Sequence, residues 1–202
     1  MAYPTVDGPY GLKPVKMISG TPYAGVTRQY RIASAYATDI FYGDVVKLVT
    51  GGTVERDVAD AAMTPIGVFL GCSFTDPGTS QPTFKQYWPA STVASDARAF
   101  VVDARDVLFK VAVISSAAST TPIVMSNLAI TDIGANVQMV DNAGSTVTGN
   151  SKIAVDDTSA TTATFPLRVV DIVTDTQTSS TAFPEVLVKW NAGHMFDNTT
   201  GV

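Results

Sequence analysis

The sequence predicts an all-β chain: a β-barrel- or β-sandwich-like body with very little helix and an extended N-terminal arm. Three observations carry this. No stretch of ten or more residues repeats its apolar positions at the helical period of about 3.6. The apolar residues gather instead in short, largely β-branched runs, at 45–49, 66–70, 107–114, 167–173 and 186–190. Glycine, proline, aspartate and asparagine, the residues of turns, separate those runs.

The arm comes first. Residues 1–25 hold Pro4, Pro9, Pro14 and Pro22 together with Gly8, Gly11, Gly20 and Gly25. Proline removes a donor and fixes φ, so neither a helix nor a central strand is predicted here. The same stretch carries Tyr3, Tyr10, Leu12, Val15, Met17, Ile18 and Tyr23, which a disordered tail would lack. An extended arm follows, seated either on its own body or on a neighbouring subunit. Residues 28–34 (RQYRIAS) alternate in polarity and predict the first strand, so arm and first strand span 1–38.

The body spans 39–190 and is organised around 42–74. Val45, Val46, Leu48 and Val49 lead into the Gly51-Gly52 turn, and after a polar crossing the chain returns through Ile66 to Leu70. These runs read as two walls of a small barrel, with 53–58 as a further strand and 59–63 as a crossing helix or loop. Asp76-Pro77-Gly78 is a turn. A short strand is predicted at 84–89 (FKQYWP), and a single helical turn at 91–97 with Ser91 as its N-cap. Residues 100–103 and 107–114 predict a hairpin about Ala104-Arg105-Asp106. Residues 115–121 and 156–164 are low-complexity loops rich in Ser, Ala and Thr. Between them, 126–132, 137–140 and 151–155 predict strands, so that 115–165 is a β-rich insertion or a continuation of the barrel. Strands at 167–173 and 186–190 close the body, and 191–202 is a polar tail with Met195 and Phe196 as anchors.

Charged residues make up 15% of the chain against 46% hydrophobic. That is too apolar for disorder, and lower in charge than the roughly 25% of an average domain. A surface of Ser, Thr, Ala, Gly and Asn suits life inside an assembly. The net charge of -5 is unevenly spread: Lys13, Lys16, Arg28 and Arg31 against Asp7 give residues 1–38 a net +3, leaving -8 on the rest. An acidic body argues against nucleic acid as the partner. No charged n-region followed by an apolar run opens the chain, and no run approaches the ~20 apolar residues of a spanning helix. A soluble protein without a signal peptide or membrane association is expected.

Residues that carry chemistry elsewhere find no constellation here. His194 is the lone histidine and no G-x-S-x-G elbow accompanies it, so a Ser-His-Asp triad is not expected. His194 reads as solvent-facing or hydrogen-bonded. One His and one Cys do not make a zinc site. Asp103 with Asp106, and Asp156 with Asp157, lack the calcium-loop pattern and read as turn carboxylates. Cys72 reads as a small buried residue, and Trp88 and Trp190 as core anchors. No enzyme activity, cofactor or metal is expected.

Five segments together bear a likeness to one family. GDVVKL at 43–48, PIGVFLG at 65–71, AFVVDARDVLFKV at 99–111, FPLRVVDIV at 165–173 and the closing VLVKWNAGHMFDNTTGV resemble the head-decoration, or capsid cement, proteins of tailed bacteriophages, marine phages especially. The resemblance implies a β-barrel-like protein on the outer surface of the virion capsid, bound to the major capsid protein and bridging its subunits. It also implies a homo-oligomer, a trimer ahead of a dimer. The expected contact residues are Tyr3, Tyr10, Lys13, Lys16, Tyr23, Arg28 and Arg31, since tyrosines offer rigid contact area and the cations orient the arm toward an acidic surface. The alternative is a carbohydrate- or receptor-binding module of a phage tail or fibre, for which Tyr87-Trp88 would be the exposed aromatic pair.

Overall fold

A computed structural model describes residues 8–58, 61–114, 128–176, 183–199 and 202, and it is all-β. Strands β2 (Arg28–Ile32), β3 (Val45–Leu48), β4 (Thr53–Arg56), β5 (Pro65–Thr75), β6 (Pro82–Lys85) and β7 (Arg98–Val102) form one sheet in the order β3-β4-β2-β7-β5-β6. A further pairing of β3 with β5 sets Val45 opposite Val68 and bends five of these strands into a small, nearly closed barrel. The two apolar runs about which the sequence is organised are therefore neighbours in its wall.

The second sheet is built from β8 (Val107–Ile114), β9 (Asn136–Val137), β10 (Met139–Val140), β11 (Ala154–Asp156), β12 (Leu167–Ile172) and β13 (Glu185–Trp190), in the order β10-β11-β8-β13-β12-β9. It packs on the barrel in a sandwich-like way. The alternation of side chains along each strand divides them between two cores. On β7, Ala99 and Val101 point into the barrel with Ile32, Val46, Val54 and Trp88. Val102 points out of it and joins Val45, Val68, Phe109, Val111, Val188 and Trp190 between barrel and sheet. Gly67 on β5 allows that crowding: a Cβ there would lie 2.2 Å from the Val102 carbonyl oxygen.

Several expectations change. Residues 98–102 and 107–114 do not form a hairpin. β7 pairs with β2 and β5 while β8 pairs with β1 (Lys13–Met17), β11 and β13, so Ala104-Arg105-Asp106 is a corner between sheets. A turn signal reports a change of direction, not which strand the chain then meets. The helical turn at 91–97 is absent: Ser91 has φ of +60°, left-handed and outside the range of an N-cap. The strand near 84–89 lies earlier, at Pro82–Lys85, and Trp88 makes only an isolated bridge to Ile40. Of the strand predicted at 126–132, residues 126–127 fall outside the described residues and Ile130–Asp132 is a 3-10 turn. The Asp132 carboxylate there accepts the Ala129 N–H at 2.7 Å. Residues 115–121 also fall outside the described residues.

Candidate interaction surfaces

The described part of the arm divides into an anchored half and an exposed tip. Leu12 is fully buried in the core between the sheets, and β1 lies antiparallel to β8 with Pro14 opposite Phe109. As an edge strand, β1 tolerates the donor that Pro14 lacks. The Tyr10 hydroxyl donates to the Glu185 carboxylate, Lys110 Nζ sits 3.0 Å from Glu185, and Lys13 Nζ stands 4.0 Å over the Tyr10 ring. Burial, with Glu185 adding to it, pushes the Tyr10 hydroxyl pKa upward. Burial and then Lys110 push the Lys13 ammonium down, Glu185 opposing. Two of the expected contact residues are thus engaged by the chain's own body.

Beyond β1 the chain doubles back. Met17 N–H bonds to the Thr21 carbonyl and Tyr23 N–H to the Val15 carbonyl, at 2.8 and 3.2 Å. The resulting loop covers a small apolar groove of about 220 Å³ lined by Met17, Tyr23, Val26, Ala104 and Val107. Its outer residues are bare: Ile18 is 51% and Val26 68% exposed. Tyr23 donates its hydroxyl to the Val26 carbonyl at 2.6 Å. Lys16 is partly buried on β1. Arg28 pairs with Asp103 at 3.1 Å and lies over the exposed Phe196 ring. Arg31 is exposed on the outer barrel face, and Tyr3 falls outside the described residues.

That outer barrel face was not anticipated. Register sets Arg31 opposite Arg98, Arg98 opposite Ser73, and Ser73 opposite Phe84, one row across four strands. In the next row Phe100 stands opposite Gln29. Phe84 is 76% exposed, and with Tyr42, Leu70, Lys85 and Phe100 it borders an open groove of about 560 Å³. The signal was in the alternation of 28–32 and 98–102, but only pairing shows that the two arginines are cross-strand neighbours. Tyr87-Trp88 is not the exposed aromatic pair that glycan binding would use. Trp88 is fully buried against Phe74, and Tyr87 stacks on Phe41.

The remaining reactive groups are buried. Burial lifts the Cys72 thiol to about 12, which keeps it protonated and inert. His194 is fully buried, not solvent-facing, between Trp190 and Phe196, and accepts the Phe196 N–H through Nδ1 at 3.3 Å. Burial, and after it the Arg105 charge, lower its pKa to about 4. Among the described residues no three His, Cys, Asp or Glu side chains are grouped as a metal site. Compared with protein-family models, with curated proteins and with solved structures, the chain finds no match.

Proposed function

We propose that the chain is a structural protein of a bacteriophage virion, which binds the outer surface of the assembled capsid and stabilises it by bridging subunits of the major capsid protein. The observation that carries this reading is the arm, fixed at one end by Leu12 and Tyr10 and offering the bare apolar tip of Ile18 and Val26 at the other. A rigid mount lowers the entropy lost when the tip docks, and its apolar side chains supply the contact. A protein that binds only the assembled lattice stabilises it by mass action, and many copies add modest affinities. Self-association, as a trimer, would let one particle reach several capsid subunits.

The test compares wild-type protein with the double variant Ile18→Asp, Val26→Asp on heads stripped of it. Both positions are exposed, so the variant keeps its fold. Occupancy on heads is expected to fall, and the heads to burst at a lower temperature. Unchanged occupancy would remove the arm tip from the mechanism.

A further inference from the structure

The outer barrel face sets two cations side by side. Arg31 and Arg98 stand directly opposite on neighbouring antiparallel strands, on the same face. Like charges so placed repel. No ion pair to either arginine is formed among the described residues. Asp96 accepts the Thr75 N–H and hydroxyl, and those bonds and, less, the Arg98 charge hold its carboxyl below the usual range, while Arg98 Nη1 donates to the Ala97 carbonyl at 3.3 Å. Phe84, on the same row, is 76% exposed. A face that joins two adjacent arginines to a bare phenylalanine fits an acidic, apolar occupant.

The chain carries such an element on its other sheet. The 3-10 turn Ile130–Asp132 leaves Ile130 69% and the following Ile133 44% exposed. Gly134 N–H bonds to the Val169 carbonyl, which brings this turn beside the end of β12. Exposed Asp171 and, just past the strand, Asp175 stand there, while Asp132, on the turn itself, holds the Ala129 N–H and the Ser159 hydroxyl. The one arginine on β12, Arg168, has its Nε held by Asn136 Oδ1 at 2.9 Å. Two bare isoleucines flanked by aspartates complement two arginines in line with the bare Phe84.

We propose that the Arg31/Arg98/Phe84 face of one copy receives the Ile130–Ile133/Asp171/Asp175 knob of the next, in a head-to-tail contact. Face and knob are different surfaces, so the contact is heterologous and leaves one copy with a free knob and the other with a free face. The acidic balance of the chain favours this occupant over nucleic acid, which every phosphate would make a poorer match to the whole. The inference rests on the self-association proposed above and is independent of the capsid.

Sedimentation of the free, full-length protein tests it. Wild type is expected to be larger than a monomer, with the association weakening as salt rises. Arg31→Glu with Arg98→Glu, and separately Asp171→Arg with Asp175→Arg, are each expected to weaken association by roughly 100-fold. Mixing these two variants is expected to restore a dimer, since one retains its knob and the other its face. Circular dichroism checks the fold, and the milder Arg→Gln and Asp→Asn pairs serve if a reversal unfolds. A wild type that stays monomeric overturns self-association altogether. Variants that stay assembled, or that do not combine when mixed, overturn this interface and leave self-association standing.

Discussion

At Arg56 three strands' worth of structure meets one guanidinium. Its Nε lies 3.1 Å from Asp44 Oδ2 and its Nη2 reaches Asp141, so a single side chain ties β3 and β4 to the segment after β10. Burial raises the Asp44 carboxyl to about 6, with Arg56 opposing. Arg56→Met is expected to destabilise the fold by about 3–5 kcal/mol, because it strands a buried carboxylate. Adding Asp44→Asn should recover part of that loss, and chemical denaturation of both variants checks it. His194 acts in the other direction. Its folded pKa of about 4 lies below its ordinary 6.5, so the unfolded chain takes up the proton first. Stability from His194 is complete above pH ~6.5 and is lost as pH falls toward 4. Asp44, with its raised pKa, gains as pH falls over much of that range, so the wild-type profile mixes the two. Melting temperatures of His194→Gln and wild type between pH 7 and 4 are expected to converge as pH falls.

Among the elements, β1 shows how a proline-rich stretch becomes part of a core. Leu12 precedes the strand and is fully buried, while Pro14 sits where the ladder asks least of it. Leu12→Ala is expected to cost about 2–5 kcal/mol, the range for emptying a large aliphatic site. A deletion of residues 2–25 should therefore unfold the protein, which calorimetry would show. On β5, Gly67→Ala is expected to destabilise by about 1–3 kcal/mol or more, since its methyl would press on the Val102 carbonyl. The tail has a similar dependence. Gly193 takes a positive φ and passes within 2.2 Å, at its would-be Cβ, of the Met63 carbonyl oxygen, which seats His194 beneath Trp190.

At the scale of the molecule, the barrel and the second sheet share one core, and each of the surfaces outside it is distinct. The arm tip is apolar and uncharged, the barrel face cationic and aromatic, and the knob acidic and apolar. Substitutions at the arm tip are expected to alter occupancy on heads without changing the sedimentation of the free protein. Substitutions at Arg31 and Arg98 are expected to change the sedimentation of the free protein in the absence of heads. Measuring both on the arm-tip and the Arg31/Arg98 variants separates docking from self-association.

Much of the fold follows from the chain alone because β-structure is written locally. Alternation and β-branching mark β2, β3, β5, β8, β12 and β13, and the lack of a helical period excludes bundles. Burial of Cys72, Trp88 and Trp190 was equally legible, since each lies in or beside an apolar run. Partnership between strands was not, because pairing is decided by contacts far apart in sequence. Only the tertiary structure divides residues 98–114 between two sheets, since a turn signal is the same for a hairpin and for a corner. It alone separates Leu12 from Ile18 within one apolar arm, and buries His194 inside a polar tail. It alone brings Arg31 and Arg98, 67 positions apart, side by side, because register across a sheet is a property of the assembled barrel and not of either strand.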